Sequence, residues 1–253
     1  MLNVGVVGCT GKLGKVIVQN IINDTELKLT SPIGRKGSQF IGQDISKIIG
    51  GIHRNIFISD DIQITDSCDV FIDCTNAENF INQNAEQYLH KRKPVVIATT
   101  GFSNDDFTKI EHLAKQMPII FSANYSIALY TFIESLKLVA KNITQSTDIH
   151  IIELHHNQKK DAPSGTAIRI KEALCEANSK IQKDKINISS VRGGTILGEH
   201  KVIFSNEKDE VLEYIHKVSS RESFASGIIQ VAKWLSQKPV GYYKMNNFMS
   251  CRV

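Results

Sequence analysis

The densest group of chemically useful side chains lies in residues 153–167, which read ELHHNQKKDAPSGTA. His155 and His156 titrate near neutral pH, so one imidazole can donate a proton while the other binds or orients a ligand. Successive side chains of a strand point to opposite faces, so we expect the two histidines to have different roles. Lys159 adds a positive charge that suits a carboxylate, or negative charge developing on a substrate. The segment predicts proton transfer to an anionic substrate.

A helix start follows this segment and has the residue types of an anion site. Pro163 is tolerated in a first helical turn, and Gly165 lets a ligand approach the backbone closely. The hydroxyls of Ser164 and Thr166 add hydrogen-bond donors to the free N–H groups of that turn. Ordinary capping by Asp161 or Ser164 explains the same residues without a ligand, so both explanations stay open at this stage.

A glycine motif with the spacing GxxGxxG begins at Gly8, directly after an apolar run at residues 2–7. Glycines so placed permit a tight turn, close approach of the backbone to a pyrophosphate, and close packing of helix on strand. A merely tight turn is the alternative, but the position at the first strand-to-helix junction favours dinucleotide binding. The loop residues expected to bind the cofactor are Gly8, Thr10, Gly11, Lys12 and Leu13.

The end of the second predicted strand bears on the choice of cofactor. A carboxylate there would accept hydrogen bonds from the free ribose hydroxyls of NADH. The chain instead has Gly34 followed by Arg35 and Lys36, whose charges suit a 2′-phosphate. We therefore predict that NADPH is preferred and that NADH is the second cofactor. The alternative is a solvated basic turn.

Strands and helices are predicted to alternate through the first half of the chain. Strands are expected at 2–7, 27–33, 70–73, 95–98 and 119–122, and helices after the glycine loop, near 77–91 and at 104–116. Such alternation implies right-handed crossovers and a doubly wound parallel sheet of the Rossmann type.

The pattern changes after about residue 126. One helix, with Phe132 and Leu136 on its apolar face, precedes strands expected at 148–156, 185–192, 198–205 and 210–219, and a last helix is expected at 222–235. This arrangement predicts an α+β domain with an antiparallel or mixed sheet. The predicted division is a dinucleotide-binding domain at 1–126, a substrate-binding domain at 127–231, and a return of about 232–253 to the first domain.

Composition excludes several classes of protein. The chain has 253 residues, 42% of them hydrophobic, and a net charge of +4, which is too small for a nucleic-acid-binding surface. No apolar run reaches the roughly 18 residues of a membrane span, and the first residues lack the basic start of a signal peptide. Five scattered cysteines with no CxxC pair predict neither disulfides nor a metal site, and indicate a reducing cytoplasm.

The whole chain resembles the dihydrodipicolinate reductase family. Residues 155–167 match the signature of that family nearly letter for letter. Further similar segments are the glycine loop, FID at 71–73, TTGF at 99–102, ANYS at 123–126, VRGG at 191–194, GEH at 198–200, HK at 216–217 and SSR at 219–221. The chain departs from the common pattern at Gly34, where many members have an acidic residue, at Tyr125, where Phe is more frequent, and at Ala128, often Gly.

The resemblance implies an NAD(P)H-dependent oxidoreductase of diaminopimelate and lysine biosynthesis, with a small dicarboxylate substrate and no nucleic-acid or membrane partner. It also implies a homotetramer assembled through the C-terminal domain. By this resemblance His155 is the proton donor and Lys159 its cationic partner. The residues implied in holding the substrate are His156, Ser164, Gly165, Thr166 and Arg192, and further cofactor residues are Thr75, Thr99, Thr100, Gly101, Ala123, Asn124 and Tyr125.

Two other functions remain open from the sequence. One is a different two-domain Rossmann oxidoreductase, of the glucose–fructose oxidoreductase or homoserine dehydrogenase kind, in which the block at 155–167 is not expected. The other is a catalytically silent sensor of NADPH, against which the presence of both His155 and Lys159 argues.

Overall fold

The computed structural model describes residues 1–62, 67–144 and 146–251. The chain divides into two compact units, the first formed by Met1–Tyr125 with Glu222–Val253 and the second by Ser126–Arg221. The sequence placed the return to the first unit at about residue 232, whereas the structure places it at Glu222. The reason is that the whole last long helix packs within the first unit.

Nine of the ten strands in the described residues follow the predicted order, and β10 was not predicted. In chain order they are β1 (Leu2–Val7), β2 (Leu27–Ile33), β3 (Val70–Asp73), β4 (Val95–Ile97), β5 (Pro118–Phe121), β6 (Asp148–His155), β7 (Asn187–Arg192), β8 (Gly198–Ser205), β9 (Val211–Val218) and β10 (Gly241–Tyr243).

The helices of the same residues range from one turn to more than four. They are α1 (Lys12–Asn23), α2 (Ser46–Ile49), α3 (Ala77–Asn79), α4 (Ala85–Lys91), α5 (Asn104–Leu113), α6 (Ile127–Asn142), α7 (Gly165–Ala177), α8 (Glu222–Leu235) and α9 (Met245–Met249). A π-helical segment, Phe80–Asn84, joins α3 to α4. None of these helices combines the length and the apolar character that a membrane crossing requires.

The first unit is built on a parallel sheet with the strand order β10-β5-β4-β3-β1-β2. The central strands β3 and β4 are buried throughout, as expected for a sheet covered on both faces. Helix α8 packs against α1 and against β3, β4 and β5. The predicted doubly wound Rossmann-type sheet is confirmed. Strand β10, for which the sequence analysis predicted no strand, extends the sheet beyond β5.

The second unit is built on a four-stranded sheet with the order β7-β6-β8-β9. Strand β6 runs parallel to β7 and antiparallel to β8, so the predicted mixed sheet is confirmed. Every second residue of β6 is buried, and its inner row begins with Ile149 and Ile151 in the core formed with α6 and α7. The same row ends with Glu153 and His155, which places two titratable side chains at the edge of an apolar core.

Candidate active site

A cleft of about 600 Å³ opens in the first unit at the carboxyl ends of β1, β2 and β3. This edge of a doubly wound sheet is where such folds bind nucleotides. Six of the residues expected to bind the cofactor line the cleft: Gly8, Thr10, Gly11, Arg35, Lys36 and Thr75.

The glycine loop has the backbone geometry that a phosphate cradle requires. Gly8 has a φ of 89°, in the left-handed region that side chains disfavour. A Cβ on Gly14 would lie 2.2 Å from the carbonyl oxygen of Gly8, so a larger residue would push α1 away from the loop. Gly11 precedes the first turn of α1, whose free N–H groups and positive potential favour an anion. The loop therefore fits a dinucleotide pyrophosphate.

Asp73, at the carboxyl end of β3, holds the loops beside this cleft. Its side chain is fully buried and accepts hydrogen bonds from the Thr75 hydroxyl at 2.7 Å and the Thr99 hydroxyl at 3.1 Å. It also accepts from the Asn84 amide at 2.8 Å and the Tyr88 hydroxyl at 2.7 Å. One carboxylate thus connects the loop after β3, the loop after β4 and the helical segment that covers them.

The other expected cofactor residues are not among those that line the cleft in the described chain. Lys12 and Leu13 open α1, and residues 99–101 and 123–125 follow β4 and β5 at the same edge of the sheet. Tyr125 is buried and its hydroxyl donates to the carbonyl of Ile97 at 2.8 Å, so this side chain has a structural role in the first unit.

The charge of the cleft is mixed, which the sequence analysis did not predict. Arg35 and Lys36 are exposed at its rim, but the carboxylates of Asp60 and Glu78 also line it. Asp60 is far from the glycine loop in sequence. It follows Ser59, whose carbonyl accepts a 2.7 Å hydrogen bond from the N–H of Gly34.

In the second unit, Glu153 and His155 lie side by side on β6. The Nδ1 atom of His155 is hydrogen-bonded to Oε2 of Glu153. The other carboxylate oxygen accepts from the Arg192 guanidinium at 2.7 Å and from the backbone N–H of Ser164 at 3.3 Å. Arg192 also donates to the carbonyl of Asp161 at 2.6 Å. Both oxygens of the fully buried Glu153 are therefore paired.

Burial and these contacts decide the protonation of the pair. Burial opposes ionisation of Glu153, but hydrogen bonds from Arg192, Ser190 and His155 outweigh it and lower the pKa from 4.5 to about 2. Burial lowers the pKa of His155 below 6.5; Glu153 opposes this shift, and the cations of Lys159 and Arg192 add to it. A neutral imidazole that donates its Nδ1–H to Glu153 is favoured at neutral pH.

Two more buried histidines lie behind His155. The His200 ring packs edge-to-face on His155 with centroids 5.3 Å apart, and its Nε2 lies 3.3 Å from Oγ of Ser164. Burial, then the neighbouring His155 and His216, lower the pKa of His200 to about 3. Burial also lowers the pKa of His216. Ligand atoms of Glu153, His155 and His200 lie within 4.8 Å of one another, as in metal sites, but Arg192 already neutralises the carboxylate.

The expected anion site forms the start of α7. Ser164 is its N-cap, and the buried Oγ accepts from the N–H of Ala167 at 3.2 Å. Capping and anion binding are compatible, because Gly165 is exposed and the Ser164 side chain caps the N–H of Ala167, which is one of several N–H groups without a helical partner at a helix start. The nearby Lys159 pairs with Asp161 at 2.9 Å and remains partly exposed. His156, just past the end of β6, is half-buried.

Sequence reasoning missed Glu153, His200 and His216 as site residues. The period of a strand could have identified Glu153, since residues two apart share a face and His155 was already a candidate. No local signal identifies His200, because strand pairing across 47 residues brings it to Glu153. The sequence also assigned Arg192 to the substrate, whereas the structure pairs its guanidinium with Glu153 and the Asp161 carbonyl.

Comparison with known proteins covers nearly the whole chain. The family model described as "Dihydrodipicolinate reductase, N-terminus" matches residues 2–125, and "Dihydrodipicolinate reductase, C-terminus" matches residues 128–249. The 4-hydroxy-tetrahydrodipicolinate reductase of Geotalea daltonii is 34% identical over 269 residues, with all of both chains covered. The enzyme of that name from Buchnera aphidicola subsp. Baizongia pistaciae is 35% identical, with 98% of each chain covered.

Solved structures show the same fold. The dipicolinate-bound dihydrodipicolinate reductase from Paenisporosarcina sp. TG-14 matches with a TM-score of 0.72 and 23% identity, over 96% of this chain and 97% of that one. An amine dehydrogenase from Mycobacterium smegmatis matches with a TM-score of 0.61 and 12% identity, over 96% and 94%. The family models and the full-length relatives go further than fold: this chain belongs to the dihydrodipicolinate reductase family of oxidoreductases.

Proposed function

We propose that this protein reduces 4-hydroxy-tetrahydrodipicolinate to tetrahydrodipicolinate with NAD(P)H, in diaminopimelate and lysine biosynthesis. Family membership and the names of the relatives support the reaction. The observation that carries it is the arrangement in the second unit, where His155 lies beside the capped start of α7 and a partly exposed lysine. In the balanced reaction the substrate ring takes up one hydride and one proton and loses water.

The protein residues have separate roles in this reaction. NAD(P)H supplies the hydride when bound. His155 donates the proton from Nε2, because Nδ1 is hydrogen-bonded to Glu153. Gly198, which has no side chain, lies next to Nε2. A dianionic substrate raises the pKa of the imidazole, so the proton is taken up as the substrate binds. Lys159 stabilises the negative charge that develops on the substrate.

The two substrate carboxylates are assigned to the start of α7. Ser164, Gly165 and Thr166 offer hydroxyl and backbone donors at a helix N-terminus, where an anion is stabilised by free N–H groups and the helix dipole. His156 supplies a further donor from the half-buried position after β6. The match to a dipicolinate-bound neighbour is consistent with a planar dicarboxylate as ligand.

Turnover of the purified protein tests the function. With substrate generated in situ, we expect NADPH to be oxidised, and Lys159→Ala to lower kcat by about 100-fold through loss of electrostatic stabilisation. Lys160→Ala is the matched control, because this adjacent lysine is exposed and outside the described pairs of the site. NADPH binding without any oxidation by the wild type would favour a sensor instead.

NADPH is the proposed preferred cofactor. Arg35 and Lys36 at the rim of the cleft support it, since their charges suit a 2′-phosphate, while Asp60 and Glu78 in the same cleft oppose an extra negative charge. We expect the double variant Arg35→Ala/Lys36→Ala to lose kcat/KM with NADPH by at least about 10-fold and to keep its value with NADH. Equal or better use of NADH by the wild type would contradict the preference.

The proposal includes a homotetramer in a reducing cytoplasm. The open face of the second sheet supports assembly, because Val191, Val211 and Ile215 expose about half of their surface there. The five cysteines are free, which agrees with a reducing compartment. Light scattering should give an assembly mass of four times the 28.2 kDa chain mass. The variant Ile215→Lys should give a lower assembly mass.

A further inference from the structure

The Nδ1 atom of His155, the proposed proton donor, is hydrogen-bonded to the carboxylate of Glu153. Glu153 lies two residues before His155 on β6, so both side chains point to the same face of the sheet. One oxygen contacts the imidazole and the other contacts Arg192, which leaves neither oxygen for a ligand. Glu153 is fully buried and His155 is 8% exposed.

Strand pairing explains how Arg192 reaches this carboxylate. In the parallel ladder of β6 and β7, Arg192 is the register partner of His155, and Ser190 is that of Glu153. The guanidinium folds back along the ladder, and its Nη2 also donates to the carbonyl of Asp161. The guanidinium of Arg192 is therefore held by two acceptors within the protein, the carboxylate of Glu153 and the carbonyl of Asp161.

We propose that Glu153 and Arg192 are positioning residues for His155, which together fix its tautomer and set the pH range in which it carries a proton. Glu153 accepts the Nδ1–H, so that Nε2 is the atom that exchanges a proton with the substrate. Arg192 neutralises part of the Glu153 charge, so the imidazole is not kept permanently protonated. The inference rests on the proposed function of His155 as the proton donor.

The other titratable and charged groups near His155 cannot take over the role of Glu153 and Arg192. Lys159 is a cation that lowers the pKa of the imidazole, and it is itself paired with Asp161. His200 on β8 packs on the His155 ring and His216 on β9 packs on His200, and burial lowers the pKa of each, which favours their neutral forms. Among the residues that the structure describes, Glu153 is thus the anion in contact with His155.

Removing Glu153 and removing Arg192 should shift the pH dependence of kcat/KM in opposite directions. Activity as kcat/KM should fall as pH rises through the pKa of the proton donor. Glu153→Gln removes the anion, so this fall should move to lower pH by about one unit. Arg192→Met removes the cation and leaves Glu153 free to hold the imidazolium, so the fall should move to higher pH by about one unit.

Conservative variants separate the electrostatic role from a structural one. Arg192→Lys and Glu153→Asp keep the charges, so each should return the pH profile toward that of the wild type even where kcat stays low. Glu176→Gln is the matched control: Glu176 pairs with Arg169 at 2.8 Å on α7, yet its side chain is 56% exposed. Its pH profile should not move.

Proton uptake on binding dipicolinate gives a readout that does not depend on turnover. Calorimetry in two buffers of different ionisation enthalpy should show uptake by the wild type and none by His155→Gln. The pH midpoint of uptake should move down in Glu153→Gln and up in Arg192→Met.

The outcomes separate this inference from the proposed function. Shifts in the same direction, or unchanged profiles in both variants, overturn the inference while wild-type turnover stands. A wild type that neither turns over the substrate nor binds dipicolinate overturns the proposed function, and the inference with it.

Discussion

Two fully buried carboxylates, Asp73 in the first unit and Glu153 in the second, lie near the carboxyl ends of their strands and have opposite kinds of partner. Asp73 accepts hydrogen bonds from neutral groups: hydroxyls, a side-chain amide and a backbone N–H. Glu153 contacts a guanidinium and an imidazole. Each carboxyl group satisfies the rule that a buried polar group must be paired or hydrogen-bonded.

The difference shows what each carboxylate can do. Neutral donors have fixed positions and do not exchange protons near neutral pH, so Asp73 holds the loops after β3 and β4 in place. The partners of Glu153 include His155, which titrates, so we infer that Glu153 affects the proposed proton transfer as well as the geometry. Removing the Asp73 side chain should therefore lower mainly the free energy of unfolding, whereas removing the partners of Glu153 should change mainly the catalytic activity.

The largest effect is expected from Asp73→Ala. It leaves the donors of Asn84 and Tyr88 without their acceptor and the Thr99 hydroxyl with only the long contact to the backbone carbonyl of residue 73, which should lower the free energy of unfolding by about 3–5 kcal/mol. Urea unfolding measures this loss. Tyr88→Phe, which removes one of these donors, should cost only about 1.5 kcal/mol. A smaller loss for the alanine variant than for the phenylalanine variant would show that Asp73 does not hold the loops.

His155→Gln should lower kcat by about 100-fold, equivalent to about 2.7 kcal/mol, because the proposed proton donor is lost. The Glu153–Arg192 pair remains, so the free energy of unfolding should change by less than about 1 kcal/mol. His112→Gln, at a histidine in the last turn of α5, is the control and should keep wild-type turnover. Wild-type kcat in His155→Gln would remove this residue from the mechanism.

Acid should destabilise the second unit through Glu153. Its pKa is lowered to about 2 in the folded protein from 4.5, so its contribution is present above pH 4.5 and is lost as pH falls toward 2. Comparing His155→Gln with His155→Gln/Glu153→Gln isolates the carboxyl from the histidine. Between about pH 6 and about pH 3 the single variant should lose about 1–2 kcal/mol more than the double variant. If the free energy of unfolding of the two variants changed equally with pH, the lowered pKa of Glu153 would be contradicted.

The smallest effect is expected from Glu176→Gln. The Arg169–Glu176 distance of 2.8 Å is close to the 2.7 Å of Arg192–Glu153, but solvent screens the exposed pair. The free energy of unfolding should fall by less than about 0.5 kcal/mol in urea unfolding. A loss as large as that of a buried pair would mean that distance, rather than burial, determines the effect of these pairs.

Much of the fold could be predicted because its signals are local. The apolar runs of β1, β2 and β3 were placed at their observed bounds, since short buried strands bounded by turn residues are readable in sequence. Strand β10 was missed because three residues carry too little pattern, and only pairing with β5 makes them a strand. The π-helical segment was missed as well. It brings Asn84 to Asp73, a contact that no periodicity encodes.

By itself the sequence determined the chemistry that is available: a glycine loop that admits a pyrophosphate, and a histidine, a lysine and a helix start close together in the chain. Residues within about ten positions of one another have their geometry limited by local backbone rules. Only the tertiary structure decided the partners. Arg192 reaches Glu153 across 39 residues, and Asp60 joins Arg35 in one cleft, because strand pairing and loop packing bring distant segments together.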